Sequence, residues 1–185
     1  MDKNLAVIFP GVGYHSDKPL LYYSKKLAKN HGYEIKEVTY TFSNDLDSIK
    51  TNAAQAEAAI NEALTQVVEQ LKDIDFSSYD NVVFIGKSIG TAIAAKYAFD
   101  YGIEAESIIF TPIEMTFAYI NACEGFVFHG SKDPLCDTDM CVQLCDELSI
   151  TYAVIPDANH SLETGDVDTD IQNLHRIMKI VDGLF

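Results

Sequence analysis

The amino-acid sequence predicts an α/β fold: a doubly wound, mainly parallel sheet of about six strands with helices on both faces, formed as one domain over residues 1–185. Two observations carry this. Short apolar runs of strand length alternate with longer stretches of helical spacing to the end of the chain, and such alternation demands right-handed crossovers between parallel strands. Polar and glycine-bearing clusters follow the strand runs directly, where a parallel sheet presents its carboxyl edge.

Leu5 to Phe9 is apolar throughout, as a strand buried on both faces should be, and Pro10-Gly11-Val12-Gly13-Tyr14 closes it with a tight loop. Leu20, Leu21, Tyr23, Leu27 and Ala28 share a helical face between Pro19 and Asn30, with Gly32 as the stop signal. Tyr33 to Thr41 alternates more loosely, which suits a strand near the sheet edge. After a polar stretch from Phe42 to Lys50, the residues Ala53, Ala56, Ile60, Leu64, Val67, Val68 and Leu71 keep helical spacing over about five turns. Asn81 to Tyr101 then reads as strand (Val82-Val83-Phe84-Ile85), sharp turn (Gly86-Lys87-Ser88-Ile89-Gly90) and alanine-rich helix, stopped by Gly102. Ser107 to Thr111 and Gly125 to His129 are short strands with only Ile113 to Glu124 as the body of their connection. A helix over Thr138 to Leu148, a strand over Tyr152 to Ile155 and a last helix over Asp168 to Val181 complete the alternation.

A net charge of -15 and a pI near 4.5 argue against nucleic acid and anionic membrane surfaces, which are bound chiefly through clustered Lys and Arg. The five apolar residues before Pro10 are too few for a signal-peptide core or a bilayer span, so a cytoplasmic location is expected. There Cys123, Cys136, Cys141 and Cys145 should be free thiols. Cys141 and Cys145 share a helix face, but the spacing matches no common zinc pattern and no fourth ligand stands close in sequence. Small buried thiols and no metal are therefore expected.

The chemistry centres on Ser88. A serine at the middle of a strand-to-helix turn is lifted out of the sheet edge, and glycines two before and two after it let strand and helix pack closely. The following helix turns its first, unpartnered amides toward any negative charge developing there, the Ile89 amide first. Such a hydroxyl is a weak nucleophile until a base takes its proton, and histidine is the side chain whose ordinary pKa suits that work. His160, in the turn Pro156-Asp157-Ala158-Asn159-His160-Ser161, is the candidate base. Asp133, in Gly130-Ser131-Lys132-Asp133-Pro134, is the candidate carboxylate to orient it.

The order Ser88, Asp133, His160, each at the end of a separate strand, is that of the α/β-hydrolase triad. From about Leu5 to Phe185 the chain resembles the α/β-hydrolase superfamily. The resemblance implies a minimal, lidless form of the fold, without the opening antiparallel strands of larger members. It also implies an oxyanion hole whose second donor comes from the loop after the first strand, at Val12 or its neighbour Gly13. Gly13 and Tyr14 in that loop, and Met115 and Phe117 in the later connection, are candidate substrate contacts.

Blander readings stand beside these. Ser88 as a mere helix cap, Asp133 as an ordinary Asp-Pro turn, Asp157 as a rival acid and Lys87 as an exposed neighbour are each consistent with local sequence. His15 lies near the expected site mouth, whereas His31, His129 and His175 read as structural. The expected activity is hydrolysis of carboxylic esters or thioesters of small acyl groups through an acyl-enzyme, with no cofactor or metal. A peptidase or acyltransferase on the same triad, or a catalytically silent binding protein, is the alternative.

Overall fold

Leu5, Ala6, Val7, Ile8 and Phe9 are all buried, because the first strand lies inside the sheet with helices over both faces. The computed structural model describes residues 2–43, 45, 49, 52–120 and 125–185. Cys123 and most of the polar stretch over 44–51 lie outside the described residues. In chain order the elements are β1 (Asn4–Phe9), α1 (Pro19–Asn30), β2 (Tyr33–Glu37), α2 (Ala53–Leu71), β3 (Asn81–Lys87), α3 (Ile89–Tyr101), β4 (Glu106–Phe110), β5 (Phe126–Gly130), α4 (Thr138–Glu147), β6 (Thr151–Ile155) and α5 (Val167–Asp182). Short 3-10 turns occupy Phe76–Ser78 and Glu114–Ala118.

The strands form one six-stranded sheet in the order β2-β1-β3-β4-β5-β6, and every neighbouring pair is parallel. Alternation along each strand divides the core in two. Leu5, Val7, Phe9, Val82 and Phe84 meet α2 and α3, while Ala6, Ile8, Val83, Ile85, Phe110 and Phe128 meet α1 and α5. A third cluster under α4 joins Ile109 and Val127 to Cys136, Cys141 and Cys145. The chain reverses its winding direction between β1 and β3, which places the loops after these strands side by side at the carboxyl edge.

One boundary differs from the sequence expectation. β2 ends at Glu37, the Val38 amide still donates to the Ile8 carbonyl of β1, and the extended chain from Thr39 pairs with side chains of α2 instead. Gln70 accepts from the Thr39 amide at 2.9 Å and donates to the Thr39 carbonyl at 2.6 Å. Gln66 does the same for Thr41, at 3.0 and 2.8 Å, and the Glu62 carboxylate accepts from the Ser43 amide. The spacing explains the match: four helical residues advance about 6 Å and two extended residues about 6.6 Å. Val38, Tyr40 and Phe42 are thereby turned inward onto the core. Gln66→Ala and Gln70→Ala should each cost about 1 kcal/mol and lower Tm by about 2–4 °C, with near-additive loss in the pair, as thermal denaturation can check.

Candidate active site

Ser88 follows β3 with φ 56 and ψ -129, a left-sided backbone that a non-glycine residue adopts only under constraint. The constraint is the closeness of its flanks. A Cβ at Gly86 would stand 2.8 Å from the Thr91 Cα, and one at Gly90 would stand 2.3 Å from the Phe9 carbonyl oxygen. Only glycine at both positions lets α3 start against β3 and β1. The Ser88 carbonyl accepts from the Thr91 amide at 2.9 Å and the Thr91 hydroxyl at 2.6 Å, and that hydroxyl meets Thr116 at 2.7 Å.

Although Ser88 stands at the N-cap of α3, its hydroxyl makes no capping bond. Ser88 Oγ instead lies 2.7 Å from His160 Nε2, and His160 Nδ1 lies 2.7 Å from Asp133 Oδ2. The second Asp133 oxygen accepts from the Leu135 amide at 2.9 Å. The Asp133 side chain is fully buried and that of His160 is 20% exposed, so one end of this hydrogen-bonded chain is dry and the other faces the solvent side. A carboxylate buried so completely is tolerable because donors meet both its oxygens.

The loops carrying these residues also hold one another. The Lys132 amide donates to the Ala158 carbonyl at 2.8 Å, and the Asp157 amide to Ser131 Oγ at 2.8 Å. Asp157, the rival acid, pairs its own carboxylate with Lys132 Nζ at 2.7 Å and is 69% exposed. His15 is exposed, and its Nδ1 accepts from the Asp17 amide.

A cavity of about 210 Å³ opens over Ser88 and His160, lined also by Val12, Ile49, Asn52, Ala53, Ala56, Ile89, Ile113, Glu114, Met115 and Leu135. Val12, Ile89 and Met115 of the sequence candidates line this cavity. Gly13, Tyr14 and Phe117 are not among its lining residues. Tyr14 is buried with its hydroxyl accepting from the Leu20 amide at 3.1 Å, and Phe117 packs into the cluster under α4. A larger depression of about 940 Å³ lies at the amino-terminal edge of the sheet, around Asn4, Asn81 and Glu106, and holds neither Ser88 nor His160.

One neighbour of the site escaped sequence reasoning and another was misplaced by it. Tyr40 donates its hydroxyl to the Pro10 carbonyl, clamping the loop that carries Val12, and burial raises its pKa well above the ordinary phenol value. Lys87 is not exposed, as its polar character suggested, but 1% accessible. Strand alternation accounts for this, because Lys87 falls in phase with Val83 and Ile85. Its Nζ stands 5.0 Å over the Tyr14 ring. Burial brings its pKa down to about 7, against the opposing pull of Asp133 and Glu163. Between this value and the unfolded value of about 10.4, the unfolded chain binds a proton that the folded chain does not. The burial penalty is therefore complete below pH 7 and fades as pH rises toward 10. Lys87→Met should stabilise by about 2–5 kcal/mol at pH 6, with the gain largely gone at pH 10, read as Tm at the two values.

No family model matches the chain, and no curated protein matches its sequence. Solved structures do. Est1E from Butyrivibrio proteoclasticus aligns with a TM-score of 0.70 at 13% identity, covering 99% of this chain and 87% of that one, and has also been seen with ferulic acid bound. The Pyrococcus furiosus esterase Pf2001 aligns at 0.65 and 13% identity, covering 99% and 82%. An α/β serine hydrolase without a lid from Xanthomonas campestris aligns at 0.61 and 12% identity, covering 99% and 81%. The chain has the α/β-hydrolase fold. Among the described residues no helix is long and apolar enough to cross a membrane.

Proposed function

We propose that this chain of α/β-hydrolase fold is a serine hydrolase that cleaves carboxylic esters or thioesters of small acyl groups through Ser88, His160 and Asp133. The reading rests on one observation, the two 2.7 Å contacts that run from Ser88 Oγ through the His160 ring to Asp133 Oδ2. His160 Nε2 takes the Ser88 proton as Oγ attacks the acyl carbonyl, and Asp133 keeps the proton on Nδ1 and stabilises the imidazolium that results. The carbonyl oxygen becomes an oxyanion facing the Ile89 and Val12 amides, each such donor being worth about 3 kcal/mol. His160 then protonates the leaving oxygen or sulfur. Water repeats the sequence on the acyl-enzyme, activated by the same ring.

Cavity size and lining support a short acyl group. About 210 Å³ is below the roughly 300–1,000 Å³ of pockets that enclose drug-sized ligands. Met115, Ile113 and Ile89 supply apolar wall, and Glu114 at the rim disfavours an anionic substrate.

A fluorophosphonate probe should label the native protein at Ser88, with labelling lost in Ser88→Ala and His160→Ala. p-Nitrophenyl acetate or butyrate should be turned over by the native protein, with kcat reduced by about 10³–10⁴ in Asp133→Asn. Absence of both label and turnover in folded protein would reject the reading. Tyr40→Phe removes the clamp on Pro10 without touching substrate. It should lower kcat about tenfold and leave KM nearly unchanged, because only the placement of the Val12 amide is loosened.

A further inference from the structure

Beneath the acid loop lies a second cluster of reactive side chains that the hydrolytic reading does not use. One ring nitrogen of His129, at the end of β5, and the sulfurs of Cys136 and Cys141 all lie within 4.8 Å of one another, and all three residues are buried. Cys145, one turn further along α4, is fully buried and its thiol contacts that of Cys141. The fold has brought to the cysteines the histidine ligand that their own spacing in the chain did not supply.

The histidine is prepared for a ligand role. Its Nε2 lies 3.1 Å from Thr138 Oγ1, and the Thr138 hydroxyl in turn lies 3.4 Å from the Ser131 carbonyl oxygen, a group that only accepts. The threonine hydrogen therefore goes to Ser131 and its oxygen accepts from Nε2–H. That assigns the proton to Nε2 and leaves Nδ1 as a bare lone pair. Nδ1 is buried without a hydrogen-bond partner, and stands 4.0 Å from the Asp133 carboxylate. A buried ring nitrogen without a hydrogen-bond partner is unfavourable, and a bound cation is one group that would satisfy it. A second hydrogen bond that fixes ring tautomer is the usual accompaniment of a metal-binding histidine.

We infer that His129, Cys136 and Cys141 form a three-donor, soft-ligand site that takes one Zn²⁺ and staples the acid loop to α4. Donor chemistry decides the ion: sulfur and imidazole ligands suit Zn²⁺, and two thiolates with a neutral imidazole around it sum to zero beside Ile109, Val127 and Ile150. Binding releases two thiol protons to solvent. Tetrahedral zinc with nitrogen and sulfur ligands sets its donors about 3.5 Å apart, so the cluster contracts by about 1 Å on loading. Cys136 lies between exposed Pro134 and Asp137, and opening of that short turn admits the ion.

The test is cobalt titration of the reduced, metal-free protein. Co²⁺ should give sulfur-to-cobalt charge-transfer absorption that saturates at one equivalent and is bleached by Zn²⁺. Excess Zn²⁺ should raise Tm by about 5 °C. Both effects should vanish in Cys136→Ser/Cys141→Ser, and in Cys136→Ala alone should the double variant fail to fold. Folded, fully reduced native protein that gives no charge-transfer band overturns the site, as does an unchanged band in the cysteine variants.

Discussion

The close approach of β3, α3 and β1 at Ser88 is the constraint on which the rest of the site depends. Its cost is local, because a non-glycine residue at φ 56 and ψ -129 sits about 1–3 kcal/mol above a relaxed backbone. The surroundings hold it there: the Ser88 amide bonds to the Phe110 carbonyl, its carbonyl takes two donors from Thr91, and β3 is buried from Val82 to Lys87. A relaxed turn would need room that the Gly90 contact with Phe9 and Pro10 does not leave. The hydroxyl is thus freed from helix capping and turned to the histidine, and the same geometry fixes where the first amides of α3 point.

The other two members of the hydrogen-bonded chain come from loops that have no regular structure of their own. Their order comes from mutual contact: main-chain bonds between 132 and 158, the Ser131 hydroxyl on the Asp157 amide, and the Lys132–Asp157 pair at the surface. Asp157 is in this sense a brace for the loop that carries His160. The buried Asp133 is then set by geometry on one side and by the Leu135 amide on the other. Lys87, packed on the opposite face of the same strand end, adds a nearby amine whose charge is poised near neutrality by burial.

Much of this was legible in the sequence for a physical reason. Parallel strands buried on both faces are continuous apolar runs, and their carboxyl ends are marked by the polar turns that follow, so Ser88, Asp133 and His160 could be picked out as candidates that the fold brings together. What depended on pairing across the chain was not. The clasp of Gln66 and Gln70 on Thr39 and Thr41 uses residues that look like ordinary helix surface. Tyr14 and Phe117 are aromatic residues near the site in sequence that turn into the core, and polarity alone suggested that Lys87 faces water. Counting the strand period on from Ile85 would have corrected the last of these. His129 and Cys136 are separated by a loop whose path no local pattern states, so their meeting had no signal in the sequence.

Scaffold and selectivity are separable in this architecture. Ser88, His160, Ile89 and Val12 are held by the sheet edge and by bonds among its loops, whereas Asn52, Ala53, Ala56, Ile113, Glu114 and Met115 line the same cavity from the start of α2 and the β4–β5 connection. The second set carries no strand hydrogen bond, so changes there alter cavity shape and charge at little cost to the reacting geometry. Among the described lining residues Glu114 is the one acidic side chain in a small, mostly apolar space, so on the proposed reading exclusion of negative charge and of bulk would set the preference. On the proposed reading such a site would discriminate acyl groups by size only modestly, since each methylene in an apolar pocket is worth about 1–3 kcal/mol. The shape and charge of the cavity are therefore the property most easily altered here, and the position of the Ser88 turn the least.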